Sequence, residues 1–66
     1  MAIAKVIEVI ASSTVSIEDA VKGGVAKASE TVDGIEGVWI KDVKAEVKSG
    51  KITEWRVIMA VTFIVR

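Results

Sequence analysis

Few side chains in this sequence could do chemistry, and most of them lie in its second half. The 66 residues include no histidine and no cysteine. That removes Ser-His-Asp and Cys-His nucleophilic catalysis, disulfides, thiolate metal sites, histidine-ligated haem and most zinc sites. What remains is Trp39, two residues past Gly37 in GIEGVWIKDV (34–43), and Arg56 in KITEWRV (51–57). If the first stretch is a strand, alternation puts Gly37 and Trp39 on one face, about 7 Å apart. Trp39 then reads either as apolar packing at a subunit contact or as the aromatic wall of a ligand pocket. Arg56 only donates hydrogen bonds, so it suits a carboxylate or phosphate held bidentately. Its competing role is an ion pair with Glu54, Glu46 or an acid of a neighbouring subunit. Asp42, Glu46 and Glu54 could hold a hard cation through oxygen if copies met at a symmetry axis, although no spacing within the chain resembles a calcium loop. Lys41, Lys44, Lys48 and Lys51 could attract phosphorylated molecules or simply solvate the surface. For both groups a solvated face is the plainer reading. There is no nucleophile–base pair, metal triad or phosphate loop, and a general base would have to be a lone carboxylate, so the chain reads as a non-enzyme.

The elements that must position these residues follow from periodicity. Residues 3–11, IAKVIEVIA, are β-branched and partly alternating, which predicts a first strand. A helix follows. Ser16 stands three residues before Asp19, as in a capping box, and Glu18 and Asp19 suit the positive end of the helix dipole. Ile17, Val21, Val25, Ala28 and Val32 form one apolar stripe, and Gly34 supplies a C-terminal stop, for a helix of roughly four turns. Gly23 and Gly24 each cost that helix about 1 kcal/mol against alanine, which points to a close backbone approach. Gly37–Lys48 predicts a second strand, KSGK a tight turn, and residues 51–66 a long third strand. In the third strand Trp55, Val57, Met59, Val61, Phe63 and Val65 share the face that packs on the helix. Ile52, Glu54, Arg56, Ile58, Ala60, Thr62 and Ile64 share the other, which turns apolar beyond Arg56.

The chain is short enough to be a single domain over residues 1–66, and a domain of this size is marginal as a monomer. With disulfides, thiolate metal sites and most zinc sites excluded, self-association is the supplement left, and the apolar second face gives it a place. Hydrophobic residues are 52% of the chain. Nine basic and nine acidic residues cancel, leaving no electrostatic footprint for nucleic acid. MAIAKVIEVIAS has no basic leader region and VIMAVTFIVR is too short to span a bilayer as a helix, so a soluble, cytoplasmic, membrane-free protein is expected.

The order strand–helix–strand–strand, together with KVIEVIASS (5–13), SIEDAV (16–21), AKASETV (26–32), SGKITEWRV (49–57) and TFIVR (62–66), resembles the dodecins. The resemblance covers nearly the whole chain. It implies an α+β fold, β-α-β-β, in which a three-stranded antiparallel sheet wraps one helix. It also implies a hollow homo-dodecameric shell that binds and stores a flavin such as FMN, riboflavin or FAD, or a related planar or anionic molecule. In flavin-binding dodecins a tryptophan early in the second strand stacks on the ring, and a glutamine in the third strand bonds its polar edge. Counted without gaps, these positions fall on Gly37 and Arg56, so neither residue is kept. A two-residue insertion offset by a shorter hairpin would instead bring Trp39 onto the tryptophan position. The cofactor-binding candidates are therefore Gly37, Trp39 and Arg56. The alternative is a structural oligomer that has lost flavin binding, with metal or anion sites at its symmetry axes.

Overall fold

A computed structural model describes residues 2–65. Strand β1 (Ile3–Ser13) leads to helix α1 (Ile17–Ala28), followed by β2 (Ile35–Lys48) and β3 (Lys51–Val65). The three strands form one antiparallel sheet in the order β1-β3-β2, so β3 is central and the helix bridges the step from one edge strand to the other. Arg66, which the sequence reading placed in the third strand, lies outside the described residues. The β2–β3 hairpin turns on Ser49 and Gly50, both at positive φ (52° and 77°), the conformation a two-residue type I′ loop requires.

The helix packs chiefly on β1 and β3. Val57, Met59 and Val61 of β3 and Ala20 of α1 are its fully enclosed core, joined by Ile7, Val9, Ala11, Ile17, Val21, Val25 and Ile35. Gly24 is buried because a Cβ there would stand 2.9 Å from Met59 Cε and 3.2 Å from Ala11 Cβ. Gly23 meets nothing within 4 Å, so only one of the two glycines marks a close approach.

At its start the helix is capped as expected: Ser16 Oγ accepts from the Asp19 amide at 2.9 Å. The second half of the box is replaced. Ser13, buried at the end of β1, donates from Oγ to Asp19 Oδ2 at 2.7 Å and accepts from the Val15 amide at 2.9 Å. The strand thus runs two residues beyond the expected Ala11, tied to the helix it precedes.

Three expectations are corrected. The helix ends at Ala28 after 12 residues, with Ser29 as its C-cap, because Ser29 Oγ and its amide both bond to Val25 O. Val32 therefore lies outside it, and Gly34 (φ +76°) belongs to the turn entering β2, where its carbonyl accepts from the Ile64 amide. Trp55 is on the expected side of the sheet but only half-buried and outside the core; it pairs with Ser13 and Ala45 in the row where the helix is only beginning. Ile52 leaves the face assigned by simple alternation, because a register shift at Thr53 pairs it with Val47 rather than with Lys48.

Candidate functional site

The face of the sheet away from the helix carries the candidate residues, and register decides which of them lie there. On β3 this face runs Glu54, Arg56, Ile58, Ala60, Thr62, Ile64, with Ser12, Ile10, Glu8, Val6 and Ala4 paired to the last five from β1. On β2 two bulges set the pattern. Skipping Glu36 puts Gly37 opposite Thr62 and Trp39 opposite Ala60; skipping Lys41 puts Asp42 opposite Ile58 and keeps Val43 over the core residue Val57. Strict alternation through residues 39–43 would have carried Val43 to the open face.

Gly37 and Trp39 thus share the open face, as expected. Trp39 is 66% exposed. A Cβ built on Gly37 meets nothing within 4 Å, so the space beside the indole on that side is empty in the subunit. Because Lys41 is the bulged residue, its side chain also reaches this face. Its Nζ lies over the Trp39 ring, 5.7 Å from the centroid, and donates to Glu8 Oε2 at 2.8 Å. The bridge runs from β2 to β1, roughly 10 Å across two inter-strand spacings. Ala60 lies between Glu8 and Trp39 in the register and is 3% exposed, although it belongs to the open face. Nothing in the spacing of Lys41 signals this role, since it depends on a bulge.

Arg56 is elsewhere. It lies six residues from Thr62 and four from Ala60 along β3, roughly 20 Å from Gly37 and 14 Å from Trp39 within one chain. It is also engaged: Nη2 donates to Glu54 Oε2 at 3.0 Å, Nε donates to Ser12 Oγ at 3.4 Å, and Nη1 stands 3.9 Å from Glu46 Oε1. Glu46 and Glu54 are directly opposite each other, so Arg56 stands between two like charges, and Lys44, its own partner on β2, brings the two rows to neutrality. An open polar cleft of about 340 Å³ lies beside this cluster, lined by Ser12, Ser13, Thr14, Asp19 and Glu54. Among the described residues no group of three acidic side chains is close enough to hold a metal ion within one chain.

On β1 and β3 the open face also carries an apolar patch. Val6 (59% exposed) and Ile10 (61%) stand on it beside Ile58 and Ile64. The helix-side surface of β2 is also poorly covered, with Val38, Ile40 and Val43 exposed. No helix among the described residues is long and apolar enough to cross a membrane.

Comparison with known proteins agrees with this architecture. No curated protein matches the chain. Among solved structures, a dodecin from Streptomyces davaonensis superposes with a TM-score of 0.92 at 23% identity, covering 98% of this chain and 96% of that one. A tryptophan-to-phenylalanine variant of the Thermus thermophilus dodecin gives 0.94 at 20% identity, over 100% and 98%. A Mycobacterium tuberculosis protein described as a calcium-chelating immunodominant antigen, calcium dodecin, gives 0.82 at 34% identity, over 97% and 91%. The family model for dodecin matches residues 3–66. With the β-α-β-β order, the central third strand and this family match over nearly its full length, the chain belongs to the dodecin family.

Proposed function

We propose that the protein is a non-enzymatic binding module: a homo-oligomeric shell, twelve subunits in the pattern the family resemblance implies, that sequesters a small planar molecule in the cytoplasm. A flavin such as riboflavin, FMN or FAD is the first candidate. The observation that carries this reading is Trp39, a large aromatic ring left 66% exposed on a flat face between a glycine and an alanine. A ring in that setting offers a stacking surface, and stacking on an aromatic side chain contributes about 1–3 kcal/mol per ring. The apolar patch of Val6, Ile10, Ile58 and Ile64 supports self-association, because a monomer would leave it in water. In this reading Gly37 and Trp39 form the ligand site. Arg56 organises the polar end of the face through Glu54 and Glu46.

A second reading has its own support. The ion pairs that occupy Arg56, and the absence of a side chain at Gly37, fit a structural shell that no longer holds a flavin. The likeness to a calcium-chelating dodecin supports cation sites assembled from Asp42, Glu46 or Glu54 of several copies. Titrating the purified protein into riboflavin and following the quenching of flavin fluorescence separates the two. Saturable quenching supports the binding module; no quenching, with heat released on calcium addition in a calorimeter, supports the structural shell.

A further inference from the structure

We infer that the helix-side surface of β2, continued along the β2–β3 hairpin, is a self-complementary docking surface on which a second copy of this chain lies antiparallel, about a two-fold axis near Val43. This rests on the reading of the protein as a homo-oligomer and names a contact on the opposite side of the sheet from Trp39. The helix packs chiefly on β1 and β3 and leaves much of β2 uncovered. Val38, Ile40 and Val43, paired to the core residues Val61, Met59 and Val57, are 38%, 45% and 38% exposed there. The apolar strip continues past the end of β1. Ser13 pairs with Trp55, so the rows beyond hold only two strands. Among them Val47 and Ile52, opposite each other on the helix side, are 63% and 51% exposed. A two-stranded hairpin is marginal by itself in water, and this one leaves its apolar side open.

Charge selects the occupant and its direction. At the hairpin tip Lys48 and Lys51 stand directly opposite each other, where like charges repel, and neither has a salt-bridge partner among the described residues. The molecule is 52 Å long, and the turn into β2 lies at the other end of that strand. This turn carries Asp33 and Glu36, which also have no salt-bridge partner among the described residues. A second copy laid parallel would set basic tip on basic tip and acidic turn on acidic turn. Laid antiparallel, it brings Lys48 and Lys51 of each copy to Asp33 and Glu36 of the other, and Val47 of each over Val38 of the other. The match is made twice, once at each end, as a two-fold contact between identical surfaces requires.

The experiment measures self-association of the full chain by sedimentation over a range of concentrations. All four charged residues are exposed, so reversing them leaves the subunit's core untouched. Lys48→Glu with Lys51→Glu is expected to weaken association on the order of tenfold or more, and Asp33→Lys with Glu36→Lys to do the same. The four changes together are expected to restore it, because the attraction returns with its signs exchanged. Unchanged association in both double variants of an oligomeric parent overturns this surface and leaves the homo-oligomer standing. A combined variant that does not recover overturns the pairing of tip with turn. A monomeric parent overturns both readings. A second measurement uses the absence of native cysteine. Lys48→Cys and Glu36→Cys chains, refolded together and treated with a bismaleimide spanning about 10 Å, the separation of packed sheets, are expected to cross-link only as a mixture. Cross-linking of Lys48→Cys alone places tip on tip and overturns the antiparallel direction. Should a charge variant misfold, the cross-link decides by itself, and its absence from the mixture overturns the contact.

Discussion

Replacing Arg56 with glutamine separates a structural role for this residue from a ligand-binding one. The guanidinium holds Glu54 at 3.0 Å and stands 3.9 Å from Glu46, with its side chain 44% exposed. Ion pairs this accessible are each worth about 0.2–1 kcal/mol. Their removal also leaves Glu46 and Glu54 directly across the β2–β3 ladder, where like charges cost a further 0.2–1 kcal/mol or so. The expected loss is about 0.6–3 kcal/mol per subunit. It is electrostatic, so it should shrink between about 0.1 M and 1 M salt, as the screening length falls from roughly 10 to 3 Å. Urea denaturation at fixed subunit concentration reads the stability, since an oligomer's midpoint depends on concentration. Calorimetry with riboflavin and FMN reads the site. The FMN-to-riboflavin affinity ratio should change by less than about twofold, because the guanidinium is already engaged by Glu54 and Glu46. A marked preference for FMN that disappears in Arg56→Gln would refute this and place the phosphate on Arg56. A destabilisation indifferent to salt would refute the electrostatic account.

Gly23→Ala should stabilise the protein by about 0.5–1 kcal/mol, since the new Cβ meets nothing within 4 Å. Gly24→Val should cost about 1–3 kcal/mol through the clash with Met59 and Ala11, read in the same urea titration. Ser16→Ala removes the N-cap acceptor of the Asp19 amide and should cost about 1 kcal/mol. Ile10→Glu places a charge on the apolar part of the open face and should dissociate the assembly in light scattering while subunit helicity persists at high concentration.

Element order, the hairpin and the two faces of β3 beyond Arg56 were legible because each rests on a local signal. β-branched alternation marks the strands, Ser16 with Asp19 marks the helix start, and Gly50 marks the turn. The helix end was misplaced because Gly34 is the stronger local stop, whereas the real one depends on Ser29 bonding back to Val25. The core role expected for Trp55 failed for a tertiary reason: a 12-residue helix cannot cover the whole of a 15-residue strand. The candidate site was legible in part. Gly37 and Trp39 do share a face, but the bulge that sends Lys41 over the indole is a property of pairing with β3, and a single strand's sequence does not encode it. The separation of Arg56 from Trp39 follows from register too. Its neutralising partners, Glu54 and Glu46, were already among the alternatives that residue chemistry offered.

The most direct test of the account is the native mass spectrum of the protein in the presence of riboflavin, which reads assembly and ligand in one measurement. For twelve chains of 7.0 kDa the account predicts a closed species of about 84 kDa carrying additional riboflavin masses. Those additions should be lost on Gly37→Val while the 84 kDa species remains. A folded 7.0 kDa monomer that carries no riboflavin at micromolar concentration would contradict it.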